Sequence, residues 1–521
     1  MTDAYDVLII GSGLAGLTAA VRLHQAGRSC LVVTKESEGT ESNTLHAQGG
    51  IIARREGDDP RLLAEDIMKA GGNYGSRPAV EQLAEEGPKL VFDFLADEVG
   101  IAFSTDAQGD LSYTGEAAHS IRRILHYQDR TGERIETALW DYAQRLGVEI
   151  LTDHTAVDLI TNYHHSTDVQ EIYAPREVMG AYVLNNRTGE VHCICAGRVI
   201  LASGGLGNLY QHTTNPAGAA GDGISMASHA GADIINAEFV QFHPTALYHR
   251  DIKRFLISES LRGEGARITD LRGREFMREY SPQGDLAPRD VTARALFDRM
   301  SRDGTEYMLL NLADHYRGTE PISERFHRIY EVCRSGGIDI TREPIPVVPA
   351  AHYFCGGVKV DLQGRSSVKG LYAVGEVSCT GVHGANRLAS ASLLEALLWG
   401  WKAAEAISMH ELTPEKLRRF GHIPDWTFPR VQEQFDPLLI KQDWKAIQLT
   451  LWNYVGIIRT KKGLQRAQAD LDYYAHRIIQ FYREAQLSRD IIELRHAVTA
   501  ARIITSAALR NPRSIGCHCL G

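Results

Sequence analysis

The chain has 521 residues, of which 44% are hydrophobic and 23% are charged, and its formal net charge at pH 7 is −9. This length exceeds what one hydrophobic core usually supports, so we expect two or three domains. The acidic balance argues against nucleic acid as a partner. The sequence has no apolar run long enough to span a membrane and no charged-then-apolar signal at its start, which predicts a cytoplasmic protein without membrane contact.

Eight cysteines are scattered along the chain, which is typical of cytoplasmic thiols rather than of a disulfide framework. Cys193 and Cys195 form one close pair, and Cys517 and Cys519 flank His518 in another. The second group resembles half of a metal site, but no partner cluster is evident in the sequence. We therefore predict no bound metal.

The first predicted elements are a buried strand, a glycine turn and a helix. Residues 7–10 form a continuous apolar run, which suits a strand that is buried on both faces. Gly11, Gly13 and Gly16 follow with the G-x-G-x-x-G spacing that lets backbone N–H groups approach a pyrophosphate. In this strand–turn–helix context, the spacing predicts dinucleotide binding.

A second strand is predicted at residues 30–33, where an acidic side chain usually contacts the ribose of a dinucleotide. Thr34 and Lys35 stand at the end of this strand instead, with Glu36 next. This departure argues against a simple NAD site and leaves the ribose contact open. Further along, the turn 221–223, which contains Asp222, predicts the start of a helix that continues to Ala232.

The distribution of short apolar runs, glycine turns and helical patterns predicts three regions. Residues 1–235 and 355–410 alternate strands and helices, as a doubly wound α/β domain does. Residues 236–354 are richer in Arg, His, Asp and Pro, which indicates an inserted domain. Residues 411–521 show long amphipathic helical patterns, which predict a helical bundle. We expect the active site in the cleft between the nucleotide domain and the insertion.

Residues 383–395 combine an arginine, a glycine turn and the start of an apolar helix. The first N–H groups of a helix favour negative charge, so a cofactor anion could lie at residues 390–393 while Arg387 reaches a substrate carboxylate. An ordinary capped surface helix is the alternative. The loop 42–50 is small, polar and glycine-rich, which suits packing against a planar ring, although a plain surface loop has the same composition.

Several side chains of the insertion and its borders are candidates for binding a substrate anion, and each has a structural alternative. His243 and His352 could be packed, hydrogen-bonded histidines near strands. Glu259 and Arg262 have the spacing of a salt bridge on one helix face. Arg289 could form a surface salt bridge with Asp290.

Five longer motifs decide between these alternatives. They read Gln-Phe-His-Pro-Thr-Ala-Leu-Tyr from 241, Leu-Ala-Pro-Arg-Asp from 286, Pro-Ala-Ala-His-Tyr from 349, Glu-Val-Ser-Cys-Thr-Gly-Val-His-Gly-Ala-Asn-Arg from 376 and Trp-Asn-Tyr-Val-Gly-Ile-Ile-Arg-Thr from 452. On these motifs, the chain resembles the succinate dehydrogenase/fumarate reductase flavoprotein superfamily from end to end, and within it the L-aspartate oxidase family. The resemblance implies a Rossmann-like FAD-binding domain that is interrupted by an α+β capping domain and followed by a C-terminal helical bundle.

The resemblance also implies where FAD binds. The pyrophosphate would lie on the first glycine turn, the isoalloxazine between the 42–50 loop and the 387–393 helix start, and Glu376 and Asp222 would hold the ribityl chain and the adenosine side. The respiratory relatives attach FAD through a histidine, and Asn43 stands at that position here, which implies non-covalent FAD. The implied cofactor contacts are Gly11, Ser12, Gly13, Leu14, Ala15, Gly16, Lys35, Ser42, Asn43, Thr44, Ala47, Gln48, Gly49, Gly50, Asp222, Glu376, Ser390, Ser392 and Leu393.

For the substrate, the resemblance implies that one pocket holds all the candidates. His243, Ser258, His352 and Arg387 would bind the two carboxylates, with Gln241 beside them. Glu116 would bind the ammonium of L-aspartate, and Arg289 would transfer protons to solvent through Glu259 and Arg262. Ser258 replaces the usual threonine, and Ala118 stands where the family has glycine, which leaves the geometry of the Glu116 loop open.

The implied reaction is hydride transfer from Cα of L-aspartate to flavin N5, which leaves iminoaspartate, with reoxidation by oxygen or fumarate. It would be the first step of NAD synthesis through quinolinate, and quinolinate synthase would consume the product. A soluble fumarate reductase or succinate dehydrogenase flavoprotein, acting on fumarate or succinate, is the alternative function.

Overall fold

A computed structural model describes residues 4–39, 41–106, 108–116, 118–410, 412–428 and 436–521. Among these residues, seven strands form a central sheet in the order β6-β2-β1-β9-β8-β7, with β16 added beside β9. Their bounds are Ala4–Ile10 for β1, Cys30–Val33 for β2, Glu149–Leu151 for β6, His154–Thr161 for β7, Val178–Asn185 for β8, Val191–Leu201 for β9 and Leu371–Ala373 for β16. β1, β2, β6, β9 and β16 are parallel to one another, whereas β8 is antiparallel to both β7 and β9.

The strand β1 shows why this sheet lies at the centre. Val7, Leu8 and Ile9 are completely buried although their side chains alternate between the two faces. Such a strand is stable only where both faces of the sheet are covered. One face packs against the helices Leu14–Gln25 and Ala391–Ser408, and the other packs against apolar residues of the C-terminal helices.

Helices and a small sheet cover the first face. The helices are α1 (Leu14–Gln25), α2 (Pro60–Ala70), α3 (Arg77–Leu90), a π-helical turn over Val91–Glu98, α4 (Thr131–Leu146) and α12 (Ala391–Ser408). The small sheet has β3 (Ile51–Ile52), β4 (Tyr113–Thr114) and β5 (Ile124–Leu125). Gly400 lets α12 approach α1 closely, because a Cβ atom there would lie 2.5 Å from the carbonyl oxygen of Ala15.

Residues 236–354, all of which are described, form a second antiparallel sheet in the order β11-β14-β13-β12. The strands are β11 (Val240–Leu247), β12 (Arg267–Thr269), β13 (Met308–Asn311) and β14 (Ile345–Phe354), and the helices are α7 (Ser260–Gly263), α8 (Met277–Tyr280), α9 (Arg289–Asp303), α10 (Ile322–Arg325) and α11 (His327–Ser335). These elements enclose an apolar core of their own. The α+β character that the sequence predicts for this region is therefore observed.

Several short elements lie within and between these two regions. They are α5 (Asn162–His165), α6 (Asp222–His229), β10 (Ile234–Ile235), β15 (Gly357–Lys359), β17 (Ser378–Cys379) and 3₁₀ turns at Val169–Tyr173, Gly207–Leu209, Gly284–Leu286 and Gly375–Val377. The predicted helix from the 221–223 turn ends at His229 rather than at Ala232. It ends early because Gly231 adopts a φ of +86°, a left-handed conformation that terminates helices.

The C-terminal region is helical, as predicted. Its helices are α13 (Pro414–Phe420), α14 (Pro437–Tyr454), α15 (Lys461–Glu484) and α16 (Arg489–Arg510). α15 and α16 pack side by side, and α16 also packs against α6 of the nucleotide-binding region. No helix within the described ranges is long and apolar enough to cross a membrane. The division of the chain at 235, 354 and 410 stays a prediction.

Candidate active site

A cavity of about 270 Å³ lies between the central sheet, the inserted region and the start of α12. The glycine turn after β1, the residues after β2, the 42–50 loop and the end of β14 all contribute to its wall. With three exceptions, every side chain that the sequence predicts for the site lines this cavity. The fold therefore brings the predicted cofactor and substrate residues into one continuous space.

The three exceptions lie behind the wall: Gly16 and Gln241 do not reach the cavity, contrary to what the resemblance implies, and Arg262 lies behind Glu259 at 3.6 Å. A Cβ atom on Gly16 would lie 2.1 Å from the Gly11 carbonyl oxygen, so this glycine lets α1 pack against the turn. Gln241 is completely buried and donates to the Asn386 side chain at 2.7 Å and to the Arg387 carbonyl at 2.9 Å. Arg262 is buried and donates to the Asp285 carbonyl at 2.6 Å. Gln241 and Arg262 thus support residues that line the cavity.

The glycine turn and the start of α1 fit a cofactor phosphate. Gly11 has a φ of +114°, and a Cβ atom there would lie 2.2 Å from the Ala202 carbonyl oxygen. Gly13 precedes α1 and has no side chain that could cap the helix, whose first two residues, Leu14 and Ala15, line the cavity. Thr44 Oγ1 accepts from the Leu14 N–H at 3.3 Å and ties the turn to the 42–50 loop.

The 42–50 loop is held from behind by a residue that the sequence did not indicate. Glu136 of α4 is completely buried and accepts a hydrogen bond from the Ser42 hydroxyl. Burial raises the pKa of Glu136 to about 8, and hydrogen bonds from Ser42 and the Leu45 N–H only partly oppose this rise. Gly132, one turn earlier in α4, allows the loop to pack closely, since a Cβ atom there would lie 1.7 Å from the Thr44 carbonyl oxygen.

Asn43 and Glu376 form a polar pair inside the cavity. Asn43 donates from Nδ2 to Glu376 Oε2 at 2.6 Å, and the Phe354 N–H donates to the other oxygen at 2.9 Å. Burial raises the pKa of Glu376 to about 7, against the effect of these two donors. A carboxyl group so placed can accept from a ribityl hydroxyl group, which is the role that the sequence implies for Glu376.

Two neutral histidines stand at the opposite end of the cavity. His243 is completely buried, and its Nδ1 accepts from the Thr245 N–H at 3.2 Å, so Nε2 must carry the proton. This Nε2–H has no hydrogen-bond partner in the described part of the chain. His352 contacts Thr214 Oγ1 through Nδ1 at 2.7 Å. Burial and then the nearby arginines hold the pKa of both imidazoles well below the ordinary value.

Two arginines lie at the same end of the cavity as His243 and His352. Arg387 is buried, lies 4.5 Å from the centre of the Tyr353 ring and donates to the Ser392 hydroxyl at 3.0 Å. Arg289 donates from Nε to Glu259 Oε2 at 2.8 Å. Burial would raise the pKa of Glu259, but Arg289 and Arg262 outweigh it and hold that pKa below the ordinary value. The alternative of an Arg289–Asp290 salt bridge is wrong, since Asp290 pairs with Arg294 at 2.8 Å.

The donors that remain free at this end indicate the charge of the ligand. Arg387 Nε, Arg289 Nη1 and His243 Nε2 are buried, and none of them has a hydrogen-bond partner among the residues that the structure describes. Buried donors without partners are rare in folded proteins, and three of them in the wall of one cavity are explained by a ligand that accepts from them. Two guanidinium groups and an imidazole N–H suit carboxylate oxygens, so this end fits a dicarboxylate.

Glu116 lies between the 42–50 loop and the start of α12. Its Oε2 accepts from the Ser390 hydroxyl at 2.8 Å, and a Cβ atom on Gly49 would lie 2.7 Å from its Oε1. His119 contacts the Ala389 carbonyl at 3.0 Å and anchors the same loop. Ala118 has a φ of +67°, the left-handed region that favours glycine. The contacts of Glu116 and His119 nevertheless fix the loop to the start of α12.

Other contributors to the cavity carry no motif that sequence reasoning could detect. Arg254 and Arg328 add positive charge to the wall, and Arg328 also pairs with Glu133 of α4 at 3.3 Å.

At the far end of the cavity, Lys35 contacts Asp222 at 2.5 Å. His518 contacts Arg459 at 2.7 Å, and the described residues contain no group of three His, Cys, Asp or Glu side chains suited to a metal.

Comparison with known proteins identifies the family. Residues 6–393 match the family described as an FAD binding domain. The L-aspartate oxidase of Yersinia pestis is 42% identical over 519 residues, covering 98% of this chain and 95% of that protein. The L-aspartate oxidase of Pseudomonas aeruginosa is 41% identical over 528 residues, covering 99% of this chain and 94% of that protein.

The fold agrees with this assignment. E. coli quinol fumarate reductase FrdA superposes with a TM-score of 0.85 at 25% identity, covering 100% of this chain and 92% of that one. Mycobacterium smegmatis Sdh1 superposes with a TM-score of 0.80 at 28% identity, covering 99% of this chain and 88% of that one. The chain belongs to the L-aspartate oxidase family, within the superfamily of FAD-binding flavoproteins that includes fumarate reductase and succinate dehydrogenase.

Proposed function

We propose that this chain oxidises L-aspartate to iminoaspartate. The observation that carries the proposal is one cavity with three free buried donors for carboxylates at one end and the Glu116 carboxylate in the wall of the same cavity. When bound, FAD supplies a two-electron acceptor at N5 for the hydride of Cα, and oxygen or fumarate restores it. The turn at Gly11 and Gly13, where no side chain intervenes, and the Asn43–Glu376 pair fit this cofactor.

The dicarboxylate is held by residues from both regions. Arg387 binds one carboxylate with two N–H groups in a fixed geometry, and His243 donates from Nε2 to a carboxylate oxygen. Ser258 and His352 line the same end and add further polar contacts. Because both imidazoles are neutral, they orient the substrate without adding to the positive charge of the two arginines.

Glu116 distinguishes an amino acid from succinate. A carboxylate that accepts one hydrogen bond from Ser390 keeps lone pairs for an ammonium group. Fumarate and succinate lack this group and would leave Glu116 facing no cation. The proposed site therefore binds all three ligands but recognises L-aspartate through one additional ion pair.

Arg289 moves the proton that the reaction releases. Arginine is a poor base by its ordinary pKa, so its proton transfer depends on tight pairing with a carboxylate. Glu259 provides this partner at 2.8 Å, and Arg262 stands behind Glu259 with a closest approach of 3.6 Å. The carboxylate of Glu259 is thus the next acceptor on the path away from the substrate.

The direct test is the stoichiometry of turnover. Holoenzyme in air with L-aspartate should consume one O₂ for each oxaloacetate and ammonium formed, since the imine hydrolyses in water. D-aspartate and succinate serve as controls and should give no oxaloacetate. Consumption of O₂ with succinate but not with L-aspartate would replace the proposal by the alternative, a soluble succinate dehydrogenase or fumarate reductase flavoprotein.

The alternative has one specific observation in its favour, since the free donors of His243, Arg289 and Arg387 would bind any C4 dicarboxylate. Glu116 has no role in that reaction, which is why we favour L-aspartate as the substrate.

We further propose that FAD is bound non-covalently, that the enzyme is cytoplasmic with all eight cysteines free, and that its product enters NAD synthesis through quinolinate synthase.

A further inference from the structure

One face of α16, a helix of the C-terminal region, lies against the cofactor end of the cavity. Arg489, Glu493 and His496 are spaced by four and three residues and therefore share this face. Ala500 continues the stripe and packs against the turn before α6, where a Cβ atom on Gly221 would lie 2.8 Å from the Ala500 Cβ. The face thus follows the turn that places Asp222 in the cavity wall.

Ionic contacts join this face to three side chains that line the cavity. Lys35 Nζ lies 2.5 Å from Asp222 Oδ2 and 2.7 Å from Glu493 Oε1. Arg489 lies 2.6 Å from Glu36 Oε1 and 3.0 Å from Glu493 Oε1. These residues and His496 form what we call the α16 charge cluster: Lys35, Glu36, Asp222, Arg489, Glu493 and His496.

His496 is completely buried, and both of its ring nitrogens face oxygen atoms. Its Nε2 faces the Val157 carbonyl oxygen at 3.1 Å, and its Nδ1 faces Asp222 Oδ1 at 3.1 Å. A carbonyl oxygen can only accept, so Nε2 carries a proton. Lys35 holds the pKa of Asp222 below its ordinary value, so the carboxylate oxygen that faces Nδ1 is also an acceptor. Both ring nitrogens of His496 therefore face acceptors, which is the arrangement that an imidazolium would satisfy.

With His496 charged, the cluster contains three cations and three anions. Burial alone would lower the pKa of Lys35, but Asp222 and Glu493 outweigh it and hold this pKa above the ordinary value. Burial would raise the pKa of Asp222, but Lys35 and His496 hold it below the ordinary value. Removal of one member leaves an uncompensated charge in a buried network, which is costly and displaces its neighbours.

We propose that α16 is part of the FAD site, and that Arg489, Glu493 and His496 are positioning residues that hold Lys35, Glu36 and Asp222 in place for the adenosine end of the cofactor. This inference rests on the proposed function only in that the cavity binds FAD. None of the three α16 residues lines the cavity, so each acts through a partner that does.

The test compares His496→Gln and Arg489→Gln with Arg502→Gln. Arg502 is an arginine of the same helix that pairs with Asp472 at 2.7 Å, half-exposed and outside the cluster, and so controls for loss of an ion pair on α16. Release of FAD from diluted holoenzyme is followed by the rise in flavin fluorescence. We expect the dissociation constant of FAD to rise at least tenfold in the two cluster variants and to stay within twofold in Arg502→Gln. Nitrogen NMR of the wild-type protein should show His496 protonated at both nitrogens.

An unchanged dissociation constant in His496→Gln, or a neutral His496 in the NMR spectrum, would overturn the inference. A lower unfolding temperature with unchanged FAD affinity would also overturn it, because it would reduce α16 to a structural support. A protein that binds FAD but does not oxidise L-aspartate would refute the proposed function and leave this inference standing.

Discussion

Replacing Glu116 with glutamine should separate amino-acid oxidation from dicarboxylate binding. Glutamine has the volume of glutamate and keeps an oxygen that can accept from Ser390 at 2.8 Å, so the loop should remain in place. The lost element is the negative charge that faces the ammonium group. A hydrogen bond to a charged group contributes about 1.5–3 kcal/mol, and Glu116 is only half-buried, so we expect the lower end of that range.

This loss corresponds to roughly a tenfold decrease in kcat/KM for L-aspartate. The dissociation constant of succinate, measured from the change in the flavin absorption spectrum, should change by less than about threefold because succinate has no ammonium group. Glu41→Gln is a matched control, since Glu41 lines the same cavity but pairs with His46 at 3.6 Å. Equal losses for L-aspartate and succinate in Glu116→Gln would refute the role of this residue.

Three further changes test other parts of the site. Arg289→Leu should abolish turnover while the flavin spectrum persists, and retained turnover would remove Arg289 from the proton path. Burial raises the pKa of Glu136 from 4.5 to about 8, so between these pH values the folded chain holds a proton that the unfolded chain has released. The stability of the fold therefore falls as pH rises through this window. Glu136→Gln should flatten this part of the plot of unfolding temperature against pH, and an unaltered plot would contradict the protonation of Glu136. Acid precipitation should leave FAD in the supernatant because Asn43 cannot form the covalent link, whereas a yellow pellet would contradict this.

The local parts of the site could be predicted from the sequence because their chemistry lies in short motifs. The turn at Gly11 and Gly13 follows from glycine spacing beside an apolar run, and the start of α12 follows from the polar segment before it. The resemblance then placed Arg289, His352 and Arg387 in one pocket, and their side chains do line one cavity. Residue type and spacing were sufficient for the glycine turn and the start of α12, whereas the placement of the three substrate residues depended on the resemblance.

The supporting contacts could not be predicted, because they join residues far apart in the chain through tertiary packing. Glu136 has no motif, and its importance appears only when Ser42 is seen to donate to it across the fold. His496 contacts Asp222, which is 274 residues away. Gln241 is the opposite case, because it belongs to a motif that indicates the substrate pocket but does not line the cavity. The β11 backbone directs its side chain toward residues 386–387 instead. Which face of an element meets the cavity is decided by packing rather than by local sequence.

The most direct test of the central claim is anaerobic reduction of the bound flavin. The holoenzyme is mixed without oxygen with L-aspartate or with succinate, and the loss of the yellow absorption band is followed. We expect L-aspartate to bleach the flavin rapidly and succinate to cause only a spectral shift from binding. Bleaching by succinate with no response to L-aspartate would contradict the assignment of Glu116 and with it the proposed function.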